Sequence, residues 1–113
     1  VILRPFNTFG PRQSERAVIP TVIRQALDPD TKEIRVGDLS PVRDFNYVED
    51  IARAYLAMGL AENVEMGKAY NAGTGIAMTI ADMVERVTEI TGTNKPVVIE
   101  DIRKRPQKSE VFA

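Results

Sequence analysis

The sequence predicts a small α+β domain that carries one strand of a larger sheet. Three observations lead there. The chain has 113 residues, 43% hydrophobic and 27% charged, an ordinary globular mixture for one compact domain. Three stretches place apolar residues at helical spacing. Between them lie apolar runs of only about three to five residues, too short and too few to close a doubly wound sheet of their own.

Residues 1–3 form a short apolar run that reads as a buried strand. Residues 4–13 hold Pro5, Asn7, Gly10 and Pro11, so they read as a loop. Apolar residues at 18, 19, 22, 23, 26 and 27 predict a helix over 17–27, with Pro20 in its first turn, where a missing N–H costs little. Asp28-Pro29-Asp30 ends it. Residues 34–36 read as a strand stopped by Gly37, residues 39–42 as a loop and 44–48 as extended chain. Glu49 or Asp50 opens a second helix to about Glu62, with Ile51, Ala54, Tyr55 and Met58 on one face and acidic residues at its positive end. Residues 69–72 are a further strand, leading into Gly73-Thr74-Gly75. Thr79 is an N-cap, with Asp82 placed as in a capping box. The third helix sends Ile80, Met83, Val84, Val87 and Ile90 inward, and Gly92 takes the left-handed cap. Residues 96–100 are a last strand, and 101–108 are charged and irregular.

Composition excludes several functions. Fifteen basic residues face sixteen acidic ones, and aromatics are only 6%, which is not the footprint of a nucleic-acid binder. There is no cysteine, so neither disulfides nor thiolate chemistry arise. There is no histidine, which removes the commonest general base and metal ligand; no metal site and no Ser-His-Asp triad are expected. No apolar run approaches the roughly 18 residues that span a bilayer, and no basic-then-apolar leader precedes Val1. The expectation is a soluble, cytoplasmic protein without a membrane partner. Val1 opens in mid-strand and Ala113 stops without a polar tail, so both ends read as cut; a small processed protein is the alternative.

Four segments have chemistry to offer, each with a plainer alternative. The loop at 4–13 follows a strand end, where open α/β sheets bind ligands, and Asn7 could present an amide there; it could equally be a rigid connector. Arg43 suits phosphate through its planar fork, although a salt bridge with Asp44 or a neighbouring acid is the better local reading. Gly73-Thr74-Gly75 hints at a nucleotide loop, but a lone Gly-x-Gly is weak and a plain turn is preferred. Arg103-Lys104-Arg105, followed by Pro106-Gln107-Lys108, suits either phosphate or solvent.

Taken together and in order, these segments resemble one family. Leu3-Arg4-Pro5-Phe6-Asn7-Thr8-Phe9-Gly10-Pro11-Arg12-Gln13, Val18-Ile19-Pro20, Gly37, Arg43-Asp44-Phe45-Asn46-Tyr47-Val48-Glu49-Asp50-Ile51-Ala52, Tyr70-Asn71-Ala72-Gly73 and Arg105-Pro106 look like the carboxy-terminal half of NAD-dependent nucleotide-sugar epimerases and dehydratases. These are extended short-chain dehydrogenases/reductases with an α/β, NAD-binding Rossmann-like fold. The resemblance spans essentially the whole chain. It implies that residues 1–113 are the small α+β substrate-binding lobe plus one strand of a Rossmann sheet that is otherwise missing. The dehydratases acting on UDP-N-acetylglucosamine or dTDP-glucose are nearest in style, with the 4-epimerases as runner-up.

The resemblance also implies roles. Asn7 would contact the substrate near its diphosphate, and the Pro5-Phe6 backbone would pass the nicotinamide. Ala17 and Val18 would border the nucleotide, Ile34 and Val36 would flank the base, and Asn71 would lie near the nucleotide. Arg43 and Arg105 would grip the diphosphate or ribose. The family's Gly-x-x-Gly-x-x-Gly loop and Tyr-x-x-x-Lys pair do not occur in the sequence, so no catalytic residue is assigned, and NAD is expected in the whole enzyme rather than on this chain alone. There the resemblance implies hydride transfer from the sugar's C4, loss of water across C5 and C6, and return of the hydride to C6. The partners implied are a nucleotide-diphosphate sugar and a second copy of the chain. A non-enzymatic α+β module that self-associates through its open strand edge is the remaining alternative.

Overall fold

The computed structural model describes residues 1–100 and 110–111. Arg105 and the basic stretch around it lie outside the described residues. The elements run β1 (Ile2–Pro5), β2 (Thr8–Phe9), α1 (Val18–Leu27), β3 (Ile34–Val36), β4 (Val42–Arg43), β5 (Asn46–Tyr47), α2 (Val48–Leu60), β6 (Ala69–Ala72), β7 (Met78–Thr79), α3 (Ile80–Thr91), β8 (Val97–Ile99) and β9 (Glu110–Val111). The strands pair in small groups. β1 is parallel to β6, β2 to β5 and β3 to β8. β4 is antiparallel to β7 on one side and parallel to β9 on the other.

The main core forms where α1 and α3 pack on each other and α1 covers β3. Ile19, Val22 and Ala26 meet Ile34 and Val36 from the sheet and Ile80, Met83 and Val84 from α3. α2 stands apart from this cluster, against β1 and β5, and buries Ile51 alone. Several expected faces are corrected. Ile90 of α3, expected to point inward, is exposed, and so are Ile23 and Leu27 of α1 and Tyr55 of α2, which lie on the apolar stripes that spacing marks. In α1 the inward places beside Ile19 and Val22 go to Thr21 and Gln25. The opening strand is also more exposed than a buried strand should be, because among the described residues β6 is its only sheet neighbour.

The helix ends follow from local chemistry. In α1, Pro20 sits in the first turn, and Thr21 N donates to Ala17 O at 3.2 Å. At the other end the Asp28 carboxylate accepts from Asp30 N at 2.9 Å and Thr31 Oγ1 at 3.0 Å. The Asp30 amide, then the Thr31 hydroxyl, hold that carboxyl below its ordinary range. Lys95 Nζ closes the last turn by donating to Gln25 O at 2.7 Å and Asp28 O at 2.6 Å, a cation on the carbonyl end of the helix dipole. α3 starts as expected: Thr79 Oγ1 accepts from Asp82 N at 3.0 Å. It ends on Gly92 at φ 71°, a left-handed conformation that costs glycine little.

Gln25 solves a problem that periodicity does not reveal. β3 has β8 on one side, which leaves the backbone groups of Arg35 without a strand partner on the other among the described residues. Gln25 supplies both bonds: Arg35 N donates to its Oε1 at 2.8 Å, and its Nε2 donates to Arg35 O at 3.0 Å. A buried helix side chain thus stands in for a strand. Gln25→Leu is expected to destabilise the protein by about 1–3 kcal/mol, because it orphans a donor and an acceptor that are partly buried. A urea melt checks it; an unchanged midpoint would mean that water replaces the amide without loss.

Candidate functional site

The β1–β2 connection, the start of α1 and the β3–β4 connection converge on one cleft of about 550 Å³. Its walls include Asn7, Thr8, Phe9 and Gln13 from the first segment, with Arg16, Ala17 and Val18 at the helix entry. Val36, Gly37, Asp38, Arg43 and Phe45 close the far side. Backbone bonds hold the segments together. Asn46 N donates to Asn7 O at 2.8 Å, and β2 pairs with β5 in parallel register. Residues 4–13, expected to be a loop throughout, therefore contain a strand, as does the 39–42 loop, where β4 begins.

Gly10 sets how closely this loop approaches α2. A Cβ built there would stand 2.4 Å from Val48 Cγ1 and 3.0 Å from Val48 Cβ. Valine is stiff at χ1, especially in a helix, so it yields little. Gly10→Ala is expected to cost about 1–3 kcal/mol through overpacking, read as a lower Tm. Adding Val48→Ala should restore most of the loss; no recovery would mean that the clash is not the cause.

The lining of the cleft mixes charged, polar and apolar side chains. Three arginines line it against one aspartate, Asp38. They are not equivalent. Arg35 is bound to Glu33 at 2.8 Å and Glu100 at 3.1 Å, contacts that raise its pKa. Arg43 is 9% exposed, with Nη1 donating to Val42 O at 2.8 Å. Arg16 is exposed and makes no ion pair among the described residues. Asp38 accepts from Ser40 N at 2.9 Å and Ser40 Oγ at 2.7 Å. Gln13 donates to Thr8 O at 3.0 Å, and its buried Oε1 has no partner among the described residues. This set can take an anion at the arginines and a flat apolar group against Ala17, Val18 and Val36.

Five of the residues singled out in the sequence thus share the cleft: Asn7, Ala17, Val18, Val36 and Arg43. Ile34 does not line it; its side chain has 0% exposure and supports the core behind Val36. Asn71 is exposed on β6, paired in register with Arg4, and lies outside the cleft. Pro5 and Phe6 lie at the end of β1, where Phe6 N donates to Ala72 O at 3.0 Å, also outside the cleft. Arg16 and Gln13 were missed. An exposed arginine gives no sequence signal, and Gln13 is distinguished only by the burial of its carbonyl.

The Gly73-Thr74-Gly75 loop is accounted for by the plainer of its two readings. Thr74 N and Gly75 N donate to the Asp44 carboxylate at 3.1 Å and 2.8 Å. These amides face a fixed internal anion, not an open phosphate site.

Fold and cleft define an α/β segment with a cleft lined by three arginines and one aspartate. The chain belongs to the NAD-dependent epimerase/dehydratase family: that family's model, described as "NAD dependent epimerase/dehydratase family", matches residues 1–73. The low-salt glycan biosynthesis protein Agl12 of Haloferax volcanii is 33% identical over all of this chain, which covers 36% of that protein. A trifunctional UDP-glucose 4,6-dehydratase/UDP-4-keto-6-deoxy-D-glucose 3,5-epimerase/UDP-4-keto-L-rhamnose-reductase of Arabidopsis thaliana is 29% identical over 94% of this chain and 15% of its own length. Among solved structures, UDP-N-acetylglucosamine 4-epimerase from Methanobrevibacter ruminantium M1, in complex with UDP-N-acetylmuramic acid, superposes with a TM-score of 0.82. It is 33% identical, over 98% of this chain and 36% of that one. The chain therefore spans about a third or less of the length of these relatives. Among the described residues no helix is long and apolar enough to cross a membrane, and no cluster of potential metal ligands occurs.

Proposed function

We propose that residues 1–113 are the carboxy-terminal, substrate-binding part of an NAD-dependent nucleotide-sugar 4,6-dehydratase of the dTDP-glucose or UDP-N-acetylglucosamine type. The observation that carries this reading is the cleft that brings Asn7, Ala17, Val18, Val36 and Arg43 together from three separate segments. Arg43 holds the diphosphate, because a guanidinium fork matches phosphate oxygens and charge-assisted bonds are roughly twice as strong as neutral ones. Asn7 orients the sugar side of the diphosphate. Ala17 and Val18 border the nucleotide, and Val36 flanks the base with Ile34 supporting it from behind. Arg105 completes the grip, Asn71 stays outside it, and the Pro5-Phe6 backbone faces the nicotinamide bound by the rest of the enzyme. The chain contributes orientation, not proton or hydride transfer.

A 4-epimerase is the second reading, favoured by the superposition on the UDP-N-acetylglucosamine 4-epimerase. Product analysis of the whole enzyme separates the two. A 4-keto-6-deoxy sugar supports the dehydratase, and a sugar inverted at C4 with its C6 hydroxyl intact supports the epimerase. In either case β1, with one edge unpaired among the described residues, is the place where the lobe joins the remaining sheet or a second copy.

A further inference from the structure

The geometry points to Asp44 as a positioning residue that holds Arg43 in the cleft by stapling β4 to the β6–β7 loop. Asp44 has 0% exposure. Its carboxylate accepts from Thr74 N at 3.1 Å, Thr74 Oγ1 at 2.6 Å, Gly75 N at 2.8 Å and Asn46 Nδ2 at 3.1 Å. A buried acidic side chain is expensive unless it is met by such donors, and here three come from a loop 30 and 31 residues further along the chain. Successive residues of an extended chain face opposite ways. Arg43 therefore lines the cleft while Asp44 faces the loop. Fixing Asp44 fixes the rotation of the chain at that point, and so the direction in which the neighbouring guanidinium leaves it.

The loop is built to serve the carboxylate. Gly75 has φ +77°, a conformation that suits glycine and turns its N–H toward Asp44. Thr74 Oγ1 donates to Asp44 and accepts from Ile76 N at 3.0 Å, which locks the turn. The loop reaches β7 within a few residues, and β7 pairs with β4 through Arg43↔Met78. The staple and this strand pair thus grip the Arg43 segment from the same stretch of chain.

The role of Arg43 as a ligand group rests on the function proposed above; the staple itself does not. The test uses Asp44→Asn, which keeps the shape but turns an NH2 group toward backbone donors, and Thr74→Val, which removes one donor only. In the unliganded protein, Asp44→Asn should speed hydrogen exchange at Thr74 and Gly75 by about tenfold or more. It should also shift or broaden the Arg43 Nε–H signal. Thr74→Val should do both to a lesser degree, and it covers the case in which Asp44→Asn fails to fold. Faster exchange with an unchanged Arg43 signal would overturn the positioning role, leaving Asp44 as a loop fastener only. For a nucleoside diphosphate such as UDP, the staple variant should weaken affinity about threefold to thirtyfold in the native background and hardly at all beside Arg43→Ala, a coupling expected only if Asp44 acts through Arg43. Additive losses would overturn the proposal. If the unaltered protein binds no nucleoside diphosphate, the proposed function fails, and the Arg43 signal alone still decides the staple.

Discussion

Replacing Arg43 with alanine is expected to weaken nucleoside diphosphate binding by about tenfold to a hundredfold. A hydrogen bond between charged partners contributes about 1.5–3 kcal/mol, and each 1.4 kcal/mol is roughly a factor of ten. Arg43 is 9% exposed, so its rotamer freedom is already restricted and a ligand need not order it afresh. Arg43→Lys should fall between the two, because an ammonium keeps the charge and loses the fork. Calorimetric titration at fixed salt measures all three. Equal affinity for native protein and Arg43→Ala would remove Arg43 from the site. Arg35 serves as the internal comparison. It lines the same cleft with its guanidinium held by Glu33 and Glu100, so Arg35→Ala should change affinity by less than about threefold.

Ile34→Ala should unfold the protein far more readily than any surface change, costing about 2–5 kcal/mol. Ile34 and Val22 both have 0% exposure, at the place where α1 crosses β3. The expected loss is a large part of the roughly 5–15 kcal/mol that holds a domain together. Reduced Tm together with weakened nucleotide binding would follow, because Val36, two residues on, lines the cleft. Chemical denaturation monitored by circular dichroism checks it. A loss below about 1 kcal/mol would mean that the site collapses around the smaller side chain.

These two residues also show how far the sequence could be read. The strand holding Ile34 was legible as residues 34–36, and it is found there, because a short apolar run between breakers has few other uses. α1 and α3 were legible within a residue at each end, since proline, Asp28, Thr79 and Gly92 mark their ends chemically. The two-residue strands β2, β4 and β7 were not. They carry no periodicity, and each exists only through a partner distant in sequence. Tyr55 and Ile90 sit at helical spacing yet stay exposed, because the spacing marks a face and not what covers it. Asp44 and Gln25 were illegible for the opposite reason. Both are polar, and their partners at Thr74, Gly75 and Arg35 are set by tertiary contact. In the cleft, Arg43 and Asn7 could be picked out by their chemistry. Ile34, expected to flank the ligand, is fully buried in the core and does not line the cleft.

The most direct test of the proposed substrate cleft is an NMR titration of the 113-residue protein with UDP, dTDP and GDP up to millimolar concentration. Binding by the cleft predicts selective shifts for at least one nucleotide at the amides of Asn7, Thr8, Ala17, Val36 and Arg43, while Asn71 and the far end of α2 stay still. Spectra unchanged by all three nucleotides would contradict it.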